Sequence, residues 1–79
     1  MKLFFVYNPM SGRGQIRNKL FDIINVFSEA GYEITVHPTR APKDATAVVA
    51  ELSDTYDLVV CSGGDGTMDE VVEGMMRRK

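Results

Sequence analysis

Seven residues, Cys61-Ser62-Gly63-Gly64-Asp65-Gly66-Thr67, constrain this chain more than any others. An apolar run, Leu58 to Cys61, leads into them, and a helical pattern from Met68 to Met76 leads out. A turn with three glycines between a strand and a helix lets a bulky anion lie against backbone N–H groups. The helix behind it points its positive dipole end at the same spot. One acid, Asp65, stands in the middle of this anion site. A carboxylate there repels phosphate unless a cation such as Mg²⁺ lies between them, or unless it handles a proton. The stretch therefore reads as a nucleotide-phosphate loop with a catalytic or metal-linked acid. The plainer role for Asp65 is an Asx-turn residue that holds the loop.

The rest of the chain supports a strand-loop-helix setting. Leu3 to Tyr7 is continuously apolar or aromatic, which predicts a strand buried on both faces, as in a parallel sheet. It ends in Asn8-Pro9-Met10-Ser11-Gly12-Arg13-Gly14, a second strand-to-helix loop marked by Asn-Pro and Ser-Gly turn pairs. From Gln15 to Ala30 the apolar residues Ile16, Leu20, Ile23, Ile24 and Phe27 fall at helical spacing, and Gly31 is a natural stop. Glu33 to His37 alternates, with Ile34 and Val36 on one side, and predicts a strand with one exposed side. Pro38 and Pro42 bracket the loop Thr39-Arg40-Ala41. Asp44 to Leu52 then reads as a short helix, and Leu58 to Cys61 as a third strand buried on both faces. The last helix carries a capping-box pattern, with Thr67 as N-cap and Glu70 as its partner. Its expected apolar face is Met68, Val71, Val72 and Met75. Gly74 inside it costs about 1 kcal/mol relative to alanine and so points to a close backbone approach. His37 reads as a surface histidine, Cys61 as a buried structural thiol, and Met68, Met75 and Met76 as core packing.

The order is β-α-β-α-β-α, which predicts an α/β domain of three layers around a parallel sheet. Loops at the carboxyl ends of such strands bind ligands. The two glycine-rich loops follow strands one and three, so these strands are expected to be neighbours, in the order 2-1-3. A third strand apolar on both sides would then lie at an edge and invite pairing. The expectation is an opening piece of a larger domain that, alone, self-associates through that strand or folds poorly.

Composition narrows the function classes. The 79 residues suffice for one small domain. Nine basic against eleven acidic residues give a net charge of −2, which argues against a nucleic-acid module. One cysteine leaves no internal disulfide and suits a reducing compartment. The apolar run near the N-terminus is too short for a signal or a membrane span. A cytoplasmic protein with peripheral membrane contact at most is expected.

Two sets of residues also resemble one family. Asn8-Pro9-Met10-Ser11-Gly12 is similar to the opening Asn-Pro-x-Ser-Gly signature of diacylglycerol-kinase-type lipid kinases. Gly63-Gly64-Asp65-Gly66-Thr67, followed by Glu70-Val71-Val72 and Gly74, resembles their Gly-Gly-Asp-Gly-Thr motif and the helix after it. The glycine motif alone is shared with NAD kinases and, loosely, phosphofructokinases, and the resemblance implies the start of a nucleotide-binding domain of that fold. It implies that Gly63, Gly64, Gly66 and Thr67 hold ATP phosphates and that Asp65 serves Mg²⁺ or activates the lipid hydroxyl. It implies a first nucleotide loop of Asn8, Pro9, Ser11, Gly12 and Arg13, a nucleotide contact at Thr39 and a site glutamate at Glu70. The implied activity is γ-phosphoryl transfer from Mg-ATP to a lipid hydroxyl such as diacylglycerol, in phospholipid metabolism at a membrane surface. The family's second, β-rich domain is missing here, so the chain by itself is expected to be inactive. Asp69 and Glu73 depart from the family pattern and add two negative charges beside the expected phosphate site. The alternatives are an NAD-kinase-like phosphotransferase and a non-catalytic nucleotide- or anion-binding module.

Overall fold

The computed structural model describes residues 1–10 and 16–78, with side chains for all of these except residues 16–18 and 65. Three strands and three helices alternate: β1 (Lys2–Tyr7), α1 (Ile16–Glu29), β2 (Glu33–Pro38), α2 (Asp44–Ala50), β3 (Leu58–Ser62) and α3 (Asp65–Arg77). The sheet is parallel, in the order β2-β1-β3. The continuously apolar β1 takes the centre because only there are both of its faces covered. Leu3 and Phe5 are buried on one face, and Phe4 and Val6 on the other. Each such side chain contributes about 1.5–3 kcal/mol relative to exposure.

The two faces are closed by different helices. Phe4 and Val6 form a core with Ala45 and Val49 of α2 and Val71 of α3, joined by Val59 and Cys61 of β3. The thiol of Cys61 is therefore part of the packing, as its apolar neighbours predict, but half-buried. Leu3 and Phe5 face the other way, where α1 packs beside β2 with Leu20, Ile23, Ile24 and Phe27 half-buried. The end of α1 is fixed by Gly31, whose φ of 94° suits a residue without Cβ. Gly31 N donates to Ser28 O at 3.0 Å and Tyr32 N to Phe27 O at 3.2 Å, the paired bonds of a Schellman cap. The rings of Phe27 and Tyr32 meet edge to face across it.

Several sequence expectations need correction. The third strand is not buried on both sides: it lies at the sheet edge, its residues are half-buried, and Leu58 is exposed. The expected apolar face of α3 splits. Thr67, Val71 and Gly74 turn inward, whereas Met68, Val72, Met75 and Met76 are exposed, so those three methionines are not core packing. The buried set repeats at i, i+4 and i+7, and its apolar neighbours lie one residue on, rotated by about 100°. His37 is half-buried, stacked on Phe4 at 6.0 Å and bonded to Asp44. Arg78 lies past the end of α3 and donates to Leu52 O and Ser53 O, in the loop just after α2. Lys79 lies outside the described residues.

Candidate functional site

All three strands deliver their loops to one end of the sheet. The ladder continues one step past each strand. Asn8 N donates to Ser62 O at 3.1 Å and Thr39 N to Tyr7 O at 2.8 Å, so the three loops leave in register. Asn8 Oδ1 accepts from Met10 N at 2.9 Å, an Asx turn across Pro9 that keeps the side-chain Nδ2 as a donor. Between these loops lies a cavity of ≈ 360 Å³, lined by Asn8, Met10, Thr39, Arg40, Ala41, Pro42, Gly66, Thr67 and Glu70. That volume falls among small-ligand pockets.

The start of α3 differs from the capping-box expectation. Gly64 is the N-cap, in extended conformation, and no side chain caps the helix. Thr67 is the third helical residue and is buried. The reason is steric. A Cβ placed on Gly63, whose φ is 156°, would lie 2.7 Å from Thr67 Oγ1. Thr67 is thus packed under Gly63 and is not available to cap from outside. The first amides of α3 are left without a side-chain partner, beside Gly66 in the cavity lining. Gly63→Ala should displace Thr67 and loosen the turn, lowering stability by about 1–3 kcal/mol. A melting temperature equal to that of the unsubstituted protein would show that the turn tolerates the methyl group.

Of the residues singled out from the sequence, Asn8, Thr39, Gly66, Thr67 and Glu70 meet around the cavity. Pro9, Gly63 and Gly64 shape the approaching backbone and are not in its lining. Ser11, Gly12 and Arg13 lie outside the described residues, as does the side chain of Asp65, whose backbone opens α3. Glu70 is no capping partner. Glu70 lines the cavity, and its carbonyl accepts from the buried Thr46 Oγ1 at 2.9 Å, which ties α2 to this turn of α3. Glu73, expected beside the phosphates, is absent from the lining. It bonds Arg77 at 2.8 Å and lies 3.8 Å from Lys43, so its charge is matched on the α2 side.

One charged residue of the lining carries no sequence motif. Arg40 enters through the loop after β2, where its backbone N donates to Asp44 Oδ2 at 2.9 Å. Its only signal was a cation one residue past a candidate site threonine, at the carboxyl end of a parallel strand. For a divalent metal, no group of three or more His, Cys, Asp or Glu side chains clusters among the described residues. The polar residues of the lining are instead Asn8, the hydroxyl residues Thr39 and Thr67, and the oppositely charged Arg40 and Glu70. That set suits an anion with an associated cation better than a bare ion.

Comparison with known proteins places the chain in a family. The family model for the diacylglycerol kinase catalytic domain matches residues 2–79. A diacylglycerol kinase of Bacillus subtilis (strain 168) is 41% identical over 71 residues, which make up 89% of this chain and 23% of the relative. One from Staphylococcus aureus (strain MRSA252) is 36% identical over 74 residues, 92% of this chain and 24% of the relative. A solved structure of a candidate diacylglycerol kinase from Bacillus anthracis (strain Sterne) superposes with a TM-score of 0.80 at 30% identity, over 92% of this chain and 26% of its own. The chain spans about a quarter of the length of these relatives. With the family model matched over residues 2–79, the chain belongs to the diacylglycerol kinase catalytic domain family.

Proposed function

We propose that this chain is the nucleotide-binding N-terminal portion of an ATP-dependent lipid kinase. The reaction is transfer of the γ-phosphate of ATP to a lipid hydroxyl such as diacylglycerol, at the cytoplasmic surface of a membrane that the protein touches peripherally. No described helix is long and apolar enough to cross a membrane. The observation that carries the nucleotide reading is Gly66. It is helical, it costs about 1 kcal/mol relative to alanine, and among the described residues nothing lies within 4 Å of where its Cβ would be. The packing of the described residues does not require a glycine there. The vacant space opens on the cavity, beside the uncapped amides of α3, where a phosphate would approach most closely.

In this reading Thr67 and the Gly66 amide bind phosphate oxygens, Arg40 and Arg13 add positive charge, and Asn8 and Thr39 orient the nucleotide. Asp65 and Glu70 supply carboxylates for the cation that accompanies ATP and for the proton of the attacking hydroxyl. Mg²⁺, when bound with ATP, neutralises phosphate charge, and positioning supplies the remainder of the rate. The second domain found in longer members supplies the rest of the lipid cleft, and the exposed edge of β3 is where further strands add, or where a second copy pairs.

Gly66→Ala separates this reading from a purely structural one. The substitution should raise thermal stability by up to about 1 kcal/mol while weakening Mg-ATP about tenfold or more. In the unsubstituted protein, amide shifts on titration with Mg-ATP should centre on residues 63–67 and 8–13. No shift at millimolar Mg-ATP, or equal affinity in the Ala variant, would overturn the assignment.

A further inference from the structure

The wall of the cavity formed by Thr39, Arg40, Ala41 and Pro42 belongs to a loop, yet it is held by one side chain. Asp44 Oδ2 accepts from Arg40 N at 2.9 Å and from His37 Nε2 at 3.2 Å. One carboxylate oxygen thus ties the last part of β2 to the loop that turns back from it. Both partners are fixed from behind. The imidazole of His37 stacks on the core residue Phe4 at 6.0 Å. Asp44 opens α2, whose next residues, Ala45 and Thr46, are buried against the core and α3. Asp44 N also donates to Ala41 O at 3.2 Å, closing the turn from the other side. Lys43, between the loop and α2, has φ 72°, a left-handed conformation uncommon for a residue with a side chain. Backbone in that region persists where surrounding contacts enforce it, and the Asp44 bonds are such contacts.

We propose that Asp44 is a positioning residue for nucleotide binding: by bonding His37 and the Arg40 amide together it fixes the Thr39–Pro42 wall, so that Arg40 presents its cation to the cavity. Asp44 itself does not line the cavity. It acts through Arg40 and Thr39, and the role rests on the nucleotide reading above. The carboxylate gives a stronger hold than a neutral acceptor, because hydrogen bonds to charged groups are roughly twice as strong as neutral ones. His37 contributes through the donor at Nε2, so an amide side chain that reaches the same oxygen should partly replace it.

The test uses the full protein in which this chain occurs, with Mg-ATP as the probe. Asp44→Ala should raise both the Kd and the KM for Mg-ATP about tenfold, with kcat changed less than about threefold, since the loss is of ground-state positioning. Asp44→Asn keeps an oxygen in place and should stay within about threefold of the unsubstituted protein. His37→Leu leaves α2 intact, serves if Asp44→Ala folds poorly, and should weaken Mg-ATP about threefold, whereas His37→Gln should recover most of that loss. The double variant His37→Leu/Asp44→Ala should bind no more weakly than Asp44→Ala alone, because the two share one interaction. Hydrogen exchange at the Arg40 amide reads the latch without nucleotide: slow in the unsubstituted protein and fast in Asp44→Ala. If Mg-ATP binds the unsubstituted protein and Asp44→Ala equally well, the positioning role is overturned and the nucleotide reading stands. If the unsubstituted protein does not bind Mg-ATP, the nucleotide reading falls and this role falls with it, even where the Arg40 amide exchanges slowly.

Discussion

Asp65→Ala, made in the full protein that carries this chain, is expected to reduce phosphoryl transfer to a lipid hydroxyl by about a thousandfold or more, and to leave the melting temperature within about 4 °C. The two halves of this expectation have different sources. Asp65 is the first residue of α3, directly before the cavity-lining Gly66. An acid in the first turn of a helix stabilises it by about 0.3–1 kcal/mol through the dipole, so the cost to folding is small. An acid next to the turn proposed to hold phosphate opposes the ligand's own charge, which is tolerable only where it engages the accompanying cation or the reacting proton. Removing it should therefore harm the reaction far more than the fold. Asp65→Asn should behave like the alanine variant, because the amide keeps the size and loses the charge. Mg-ATP affinity should change much less than turnover, since relief of charge repulsion partly offsets the lost cation contact. Near-normal turnover in either variant would reduce Asp65 to a turn residue and would shift the search for the acid to Glu70, a residue of the cavity lining.

The sequence made the frame of this site legible because the frame rests on local rules. The two glycine-rich loops after strands one and three sufficed for the order β2-β1-β3, and the parallel pairing brings the loops after all three strands to one end. Gly31 as a helix stop followed from its position alone, and the Schellman bonds show why. The less legible features depend on contacts between residues with no common period. Thr67 and Glu70 fit a capping box, but Gly63 draws Thr67 beneath it and Gly64 becomes the N-cap. Arg40 belongs to no motif and reaches the cavity because a carboxylate four residues on folds its loop. The methionines of α3 look like core residues in a one-dimensional pattern, yet the contact with α2 uses the neighbouring face. Glu73 reads in sequence as a repulsive charge beside the expected phosphate site, yet Lys43 and Arg77 pair with it.

That contact between α2 and α3 sets up the largest expected effect on stability. A Cβ on Gly74 would lie 2.8 Å from the backbone oxygen of Thr46 and 2.8 Å from Val49 Cβ. Neither is the end of a flexible side chain. Val49 is fully buried in the core, and the backbone of Thr46 is held within α2. The methyl group of alanine must therefore push the two helices apart. Alanine gains about 1 kcal/mol in helix propensity at this position. Overpacking a fixed contact costs about 1–3 kcal/mol, so Gly74→Ala should lose about 1 kcal/mol net. Gly74→Val forgoes most of the propensity gain and adds two further methyl groups, and should lose about 3 kcal/mol or more. For a domain of this size that is a fall in melting temperature of about 12 °C or more. Separation of the helices should also strain the bond from Thr46 Oγ1 to Glu70 O, and so displace Glu70 from the cavity wall. A chemical-denaturation midpoint for Gly74→Val equal to that of the unsubstituted protein would mean that α2 and α3 slide past the added methyl groups at no cost, and that the glycine is not needed for their packing.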